Sequence, residues 1–227
     1  GMELHGKYVF LSEGVRGSLS KQVLAKYDLA KSTDVPKFGL GMKEIWEVSP
    51  EHHNEGEVTH TMGWPLGFKN SGGSFVYHLD KNQVYVGYIV DLNYKNPHLF
   101  PYMEFQRFKH HPKIAELLKG GKRIAYGARA VTKGGFQSIP RAAFPGGALL
   151  GCSLGLVNLP RIKGNHNAMH SGIEAAEAAY KAIKDGRTSD VLHEYDAALR
   201  TGPVSKDLKK VRNVAPLAGR YGPLGGL

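Results

Sequence analysis

A single cysteine, Cys152, stands among the 227 residues. One thiol excludes an internal disulfide, fits a reducing compartment, and cannot supply the four thiolates of an iron–sulfur cluster. No apolar run reaches the roughly 18 residues that mark a spanning helix. No charged-then-apolar leader opens the chain, so a secretory signal is not expected and membrane contact would be superficial. A Gly-x-Gly-x-x-Gly following a strand is also missing, and with it the usual site for the adenosine half of a dinucleotide. His166 and His170 lie four apart on a predicted helix, yet no HExxH pattern or third ligand accompanies them, so no metal site is expected. No Ser/His/Asp nucleophile pattern stands out. His52-His53 and His110-His111 are expected to face solvent.

What is present describes a globular chain, with 41% hydrophobic residues and a net charge of +10 from 30 basic and 20 acidic side chains. The densest basic patches, Arg107 to His111 and Lys206 to Arg212, lack the aromatic interleaving of a nucleic-acid module and read as solvated helix faces. No nucleic-acid partner is expected.

Tyr8 to Leu11 predicts a short strand entering Ser12-Glu13-Gly14, after which Ser18 is the expected cap of a helix carrying Leu19, Val23 and Leu24. From Phe38 the pattern becomes one of strands, at 38–48, 58–62, 74–78 and 84–90, separated by turns such as Asn70-Ser71-Gly72-Gly73. That spacing predicts an antiparallel sheet. Pro101 to His110 and Pro112 to Lys119 read as helices, and Arg123 to Val131 returns as a strand. An Ala-rich helix is predicted from Asn165 to about Lys184, then a helix capped by Ser189 through Leu199. The tail from Gly219 to Leu227 carries no helix or strand pattern.

The stretch from Phe144 to Ala176 is the most informative. Its apolar run, Ala148 to Leu150, ends in Gly151-Cys152-Ser153, as a buried parallel strand does where it meets a ligand crevice. A turn at Pro160 to Gly164 leads into the long helix, whose first N–H groups can face a pyrophosphate or an electron-rich flavin edge. The pattern predicts an α/β domain built from residues 1–33 and 144–185, a mainly antiparallel β domain at 34–143, and a helical tail at 186–227. The chain would then begin inside the α/β domain, without the first βαβ unit of a dinucleotide fold.

Several runs resemble a central portion of the electron transfer flavoprotein–ubiquinone oxidoreductase family: GMELHGKYVFLSEG, GLGMKEIWEV, HTMGWPL, GGSFVYHL, FQRFKHHPKI, GGKRIAYGARAV, GGFQSIPRAAFPGG and GCSLGLVNLPRIKGNHNAMHSGI. The resemblance implies a fold that is α/β plus α+β, part of a two-dinucleotide-fold, glutathione-reductase-like FAD domain with an inserted ubiquinone-binding domain. It implies a membrane-associated, monotopic flavoprotein of the bacterial cytoplasmic membrane or mitochondrial inner membrane. That family passes electrons from electron transfer flavoprotein through FAD and a [4Fe–4S] cluster to ubiquinone. The cluster-bearing carboxy-terminal domain and the amino-terminal FAD motif would lie outside this chain. The alternatives are an FAD-dependent reductase or hydroxylase acting on an isoprenoid or aromatic substrate, and a non-catalytic membrane-binding module.

The resemblance assigns Gly72 and Gly73 to a ubiquinone carbonyl oxygen through the main chain, which a flat ring can approach because no side chain intervenes. Trp64, Pro65, Leu66 and Phe68 are the expected apolar walls. Gly151, Ser153, Gly155, Lys163, Gly164 and Asn165 correspond to the flavin-binding segment. Many related flavoproteins carry Gly-Asp where this chain has Gly151-Cys152, so the ribityl contact falls to Ser153 or to backbone. Asn165 is either a donor to the N1/C2=O side of the flavin, a helix cap, or both. Glu13-Gly14, with Ser18, corresponds to a weaker contact on the second side of the FAD site. No side chain is assigned a catalytic acid–base role. On this reading the isolated 227-residue chain purifies without bound flavin; a yellow sample carrying one flavin per chain, measured by absorbance, contradicts it.

Overall fold

The computed structural model describes residues 1–67 and 70–221, and the side chains of 218 and 219 lie outside that description, as do residues 222–227. The chain divides into two compact units, one made of Gly1–Pro36 and Val131–Pro216, the other of Lys37–Ala130 and Leu217–Leu227.

In the first unit, β1 (Val9–Leu11) pairs in parallel with β8 (Gly147–Leu149), which turns back antiparallel onto β7 (Ala143–Phe144). Ala148 and Leu149 are fully buried, which is why this strand reads as a continuous apolar run rather than an alternation. The covering layer is helical: α4 (Asn165–Lys184), α5 (His193–Thr201) and α6 (Pro203–Lys210). Ala175, Ala179 and Ala182 lie on the buried stripe of α4, where short side chains let neighbouring backbones approach. Tyr195 is buried among them and donates its hydroxyl to the Leu149 carbonyl at 3.0 Å, so its polar tip is satisfied inside the apolar layer.

Two expected caps are replaced. Helix α1 (Ser18–Lys26) has Gly17, not Ser18, at its N-cap position. The Glu13 carboxylate does the capping, accepting the Ser20 N–H at 2.7 Å, the Ser20 hydroxyl at 2.8 Å and the Leu19 N–H at 3.3 Å. Those hydrogen bonds, from Ser20 first, hold its pKa below the usual carboxylate value. Ser189 has φ +57° and donates its N–H to the Lys7 carbonyl, so α5 starts four residues later, at His193. The tail also departs from expectation, since α7 (Val214–Tyr221) carries the helix through residues 219–221.

The second unit is a five-stranded sheet in the order β3-β4-β5-β2-β6. Its strands are β2 (Phe38–Glu47), β3 (Val58–Met62), β4 (Gly72–His78), β5 (Gln83–Asp91) and β6 (Lys122–Thr132). On β5, Val84, Val86, Tyr88 and Val90 alternate inward and are fully buried. Helices α2 (Pro101–Lys109) and α3 (Pro112–Leu118) cover that face with Phe105, Phe108, Ile114 and Leu118. The Tyr88 ring stacks on Phe105 and Phe108 at centroid distances of 6.2 and 5.2 Å.

One charged group joins three of these elements. Glu44 on β2 is 2% exposed. It accepts hydrogen bonds from Lys109 of α2 (2.8 Å), Arg123 of β6 (3.1 Å) and the Trp46 indole (2.8 Å). Burial pushes this carboxyl up, but the Lys109 and Trp46 hydrogen bonds outweigh it and leave the pKa below the usual value. The stability it contributes is therefore present above the ordinary carboxylate pKa and is lost as pH falls through the lowered one. Glu44→Ala strands the Lys109 ammonium, only 12% exposed, and is expected to cost about 3–5 kcal/mol in urea unfolding. A cost under about 1 kcal/mol, the worth of a surface pair, contradicts the assignment.

Candidate functional site

On the α/β unit, the carboxyl ends of β1 and β8 lie side by side, bringing Glu13-Gly14 against Gly151 and Ser153. The Ser153 hydroxyl donates to the Gly14 carbonyl at 3.2 Å and lies 3.5 Å from the Ser20 hydroxyl. Gly151 has φ +58°, a left-handed conformation that favours glycine, and its N–H donates to the buried Ser171 hydroxyl of α4 at 3.0 Å. The strand thus ends in a sharp turn fastened to the first turns of α4. Burial pushes the neighbouring Cys152 thiol up, away from reactive thiolate character.

The turn expected at Pro160 to Gly164 is a hairpin closed by Asn158 and Lys163, which exchange both backbone hydrogen bonds, at 2.8 and 3.2 Å, with Ile162 at φ +56°. Gly164 occupies the N-cap position of α4 and Asn165 the first helical position, with no side chain capping the helix. Asn165 is therefore not the cap. Lys163 and Asn165 are exposed beside this uncapped end, which carries the partial positive charge of a 20-residue helix. These residues fit an electron-rich ligand edge in their donor chemistry. The α1 end differs, its amides being occupied by Glu13. Gly155 packs against Thr132 so closely that a Cβ would stand 2.8 Å from the threonine methyl.

His166 faces Asp207 of α6, its Nε2 3.0 Å from the carboxylate. Sequence reasoning missed Asp207 entirely, because its partners lie some forty residues away.

On the β unit, Gly72 and Gly73 open β4 instead of forming a turn. Gly73 is paired with Met62 of β3 and Ile89 of β5. A Cβ would lie 2.3 Å from the Ile89 carbonyl oxygen at Gly72, and 2.5 Å from that of Thr61 at Gly73. Close strand approach thus requires glycine here independently of any ligand. Both residues are partly exposed, Leu66 is buried, Trp64 is 49% exposed, and Phe68 lies outside the described residues.

A cavity of about 420 Å³ lies between the β3–β4 face and helices α2 and α3. Met62, Trp64, Val76, Phe108 and Ile114 form its apolar lining, and His52, His78 and His111 contribute imidazoles. It takes in Trp64 from the expected walls but not Gly72, Gly73, Pro65 or Leu66. His52 and His53 do not face solvent as expected: His52 lines this cavity, and His53 packs on His78 with ring centroids 5.3 Å apart. The His78 Nδ1 accepts the Asn54 N–H at 3.0 Å, and burial pushes its pKa down.

A parallel strand pair ending under a long helix, with an antiparallel sheet unit inserted between the strands in sequence, gives a fold similar to those of solved structures. A geranylgeranyl bacteriochlorophyll reductase-like protein of Thermoplasma acidophilum superposes with a TM-score of 0.65 at 18% identity, covering 90% of this chain and 47% of that one. The flavin-dependent brominase Bmp2 gives 0.60 at 12% identity, covering 95% of this chain and 52% of its own.

The sequence comparisons are more specific than the fold. Residues 38–131 match the family described as “ETF-QO, ubiquinone-binding”. The chain is 50% identical over its whole length to the electron transfer flavoprotein-ubiquinone oxidoreductase of Pseudomonas aeruginosa, of which it covers 41%. The mitochondrial proteins of Caenorhabditis elegans and Homo sapiens are 51% and 47% identical, with 39% and 38% of their lengths covered. Along its whole length the chain is similar to electron transfer flavoprotein–ubiquinone oxidoreductases, and it spans about 40% of the length of these relatives.

The strand geometry changes what a test at the glycine pair reads. Gly73→Val would leave a bare cavity wall soluble, but here the new side chain meets the Thr61 carbonyl. It is expected to destabilise the β3–β4 pairing by about 1–3 kcal/mol. Hydrogen exchange on β3 checks this: unchanged protection at Thr59 to Thr61 contradicts the close approach.

Proposed function

We propose that this chain supplies the ubiquinone-binding unit and part of the FAD-binding unit of an oxidoreductase that accepts electrons from electron transfer flavoprotein and delivers them to ubiquinone. The observation that carries this reading is the sequence match of the entire chain to proteins of that name, including the ubiquinone-binding family match at 38–131. It favours the quinone oxidoreductase over an isoprenoid reductase or hydroxylase, since the reductase-like neighbour at 18% identity shares the fold alone.

In this reading the α/β unit is the closing part of a two-dinucleotide-fold FAD domain. Lys163, Gly164 and Asn165 present the α4 N-terminus to the flavin; Gly151, Ser153 and Gly155 shape the floor beneath it; Glu13-Gly14 lies at the second side of the site. Bound FAD would supply the electron storage, passing electrons one or two at a time. The chain's own residues orient the isoalloxazine and stabilise charge at its edge. Gly72 and Gly73 hold a quinone carbonyl through the main chain, with Trp64, Pro65, Leu66 and Phe68 as walls. The [4Fe–4S] cluster of the family would be held by residues outside this chain, whose one cysteine cannot bind it.

Membrane association in this reading is monotopic. No helix of the described residues is long and apolar enough to cross a bilayer. Val58, Met62, Trp64, Phe100 and Met103 of the β unit are exposed apolar side chains suited to a lipid surface.

The test is to express the whole reading frame, load it with FAD, and follow reduction of a short-chain ubiquinone by reduced electron transfer flavoprotein. The expected outcome is quinone-dependent reoxidation of the donor. Bound FAD with no quinone reduction removes the quinone assignment and leaves only the flavoprotein fold.

A further inference from the structure

Asp207 lies on α6, at least 40 positions along the chain from the residues it binds. One carboxylate oxygen accepts the Asn158 amide at 2.9 Å, the Asn167 amide at 3.1 Å and the His166 Nε2 at 3.0 Å; the other meets the Arg161 guanidinium at 3.2 Å. Asn158 closes the hairpin at its first residue and Arg161 sits in its loop, while His166 and Asn167 belong to the first turn of α4. A single side chain thus grips both flanks of Lys163-Gly164-Asn165. The Asn167 amide also donates to the Leu156 carbonyl at 3.0 Å, tying the turn to the chain leaving β8.

The burial is informative. Asn158 and Asn167 are each 1% exposed, so their amides have no water to turn to if the carboxylate is removed, and a buried donor without a partner costs about 1–3 kcal/mol. Burial pushes the Asp207 carboxyl up, yet the Asn158, His166 and Asn167 hydrogen bonds hold it down to about 2. It stays ionised across the whole range in which the protein would work. An apolar core needs no such group here; an exposed loop whose conformation must be single does.

We propose that Asp207 is a positioning residue for the flavin: its carboxylate fixes the 158–163 hairpin and the first turn of α4 so that the backbone at Lys163 to Asn165 meets the isoalloxazine in one geometry. This rests on the flavin reading of the same segment. Sequence-distant control of the loop means that α6 sets how tightly and at what potential the cofactor is held.

The experiment uses the protein expressed from the whole reading frame, as wild type, Asp207→Asn, Asp207→Glu and Arg161→Ala. Three quantities are read: FAD dissociation, the flavin reduction potential, and amide hydrogen exchange of residues 158–165 in the FAD-free form. Asp207→Asn, which replaces one acceptor oxygen by a donor, is expected to weaken FAD about tenfold, the equivalent of roughly 1.4 kcal/mol. It should also shift the potential and speed exchange across 158–165, with Asp207→Glu restoring all three toward wild type. If Asp207→Asn does not fold by circular dichroism, Arg161→Ala, which removes an exposed partner, is expected to speed exchange within 158–163 alone. Wild-type protein that takes up no FAD overturns the flavin reading itself. Wild type that holds FAD, beside variants matching it in affinity, potential and exchange, overturns the role of Asp207 and leaves the flavin reading standing.

Discussion

The parallel pairing of β1 with β8 is the constraint on which the rest of the chain depends. Val9, Phe10 and Leu11 meet Gly147, Ala148 and Leu149, residues separated by most of the sequence. Parallel strands need a crossover connection, and here that connection holds α1 and the whole five-stranded unit. The approach is close enough that a Cβ on Gly147 would lie 2.2 Å from the Val9 carbonyl oxygen. Once the strands are in register, their carboxyl ends coincide, and the Ser153 hydroxyl can reach the Gly14 carbonyl. The floor of the candidate flavin site is therefore a product of strand register, and the loops at the strand ends inherit their positions from it.

Two helix N-termini converge on this floor and are treated in opposite ways. That of α1 is closed by the Glu13 carboxylate, whereas that of α4 has no side-chain cap. Unsatisfied N–H groups at a helix start favour an external acceptor, so the α4 end is the one available to a ligand. Asp207 adds a second layer, since it holds the residues flanking that end without covering it. A similar economy appears in the β unit, where Glu44 alone joins β2, α2 and β6.

Much of the fold was legible from periodicity. The alternating Val84, Val86, Tyr88 and Val90 announce a half-buried strand, the Ala-rich run from Asn165 announces a packed helix, and the apolar 148–150 run announces a buried parallel strand. What escaped was set by tertiary contacts. Gly72 and Gly73 have little strand propensity, but pairing with β5, and for Gly73 with β3 as well, draws them into β4. Ser18 and Ser189 carry the right side chain for a cap, yet Glu13 reaches α1 first and Ser189 is bent by its bond to Lys7. His52 and His53 were read as solvated because nothing local shows that α3 and His78 would cover them. The site residues are a different matter: spacing alone marks Gly72-Gly73 as punctuation, and only the resemblance gives the pair a ligand. Asp207 lies in a basic helix with no signature, and only the folded chain brings it to Asn158, His166 and Asn167.

The β unit offers two places for a quinone ring, the main chain at Gly72-Gly73 and the cavity bounded by Trp64, Phe108 and the histidines, and they do not share the glycines. Titrating the ¹⁵N-labelled protein with a short-chain ubiquinone and following backbone amides separates them. The account predicts saturable shifts at Gly72 and Gly73 that exceed those at Thr59, Val76 and Ile114. Shifts confined to the cavity residues, with the glycine amides unmoved, would contradict it.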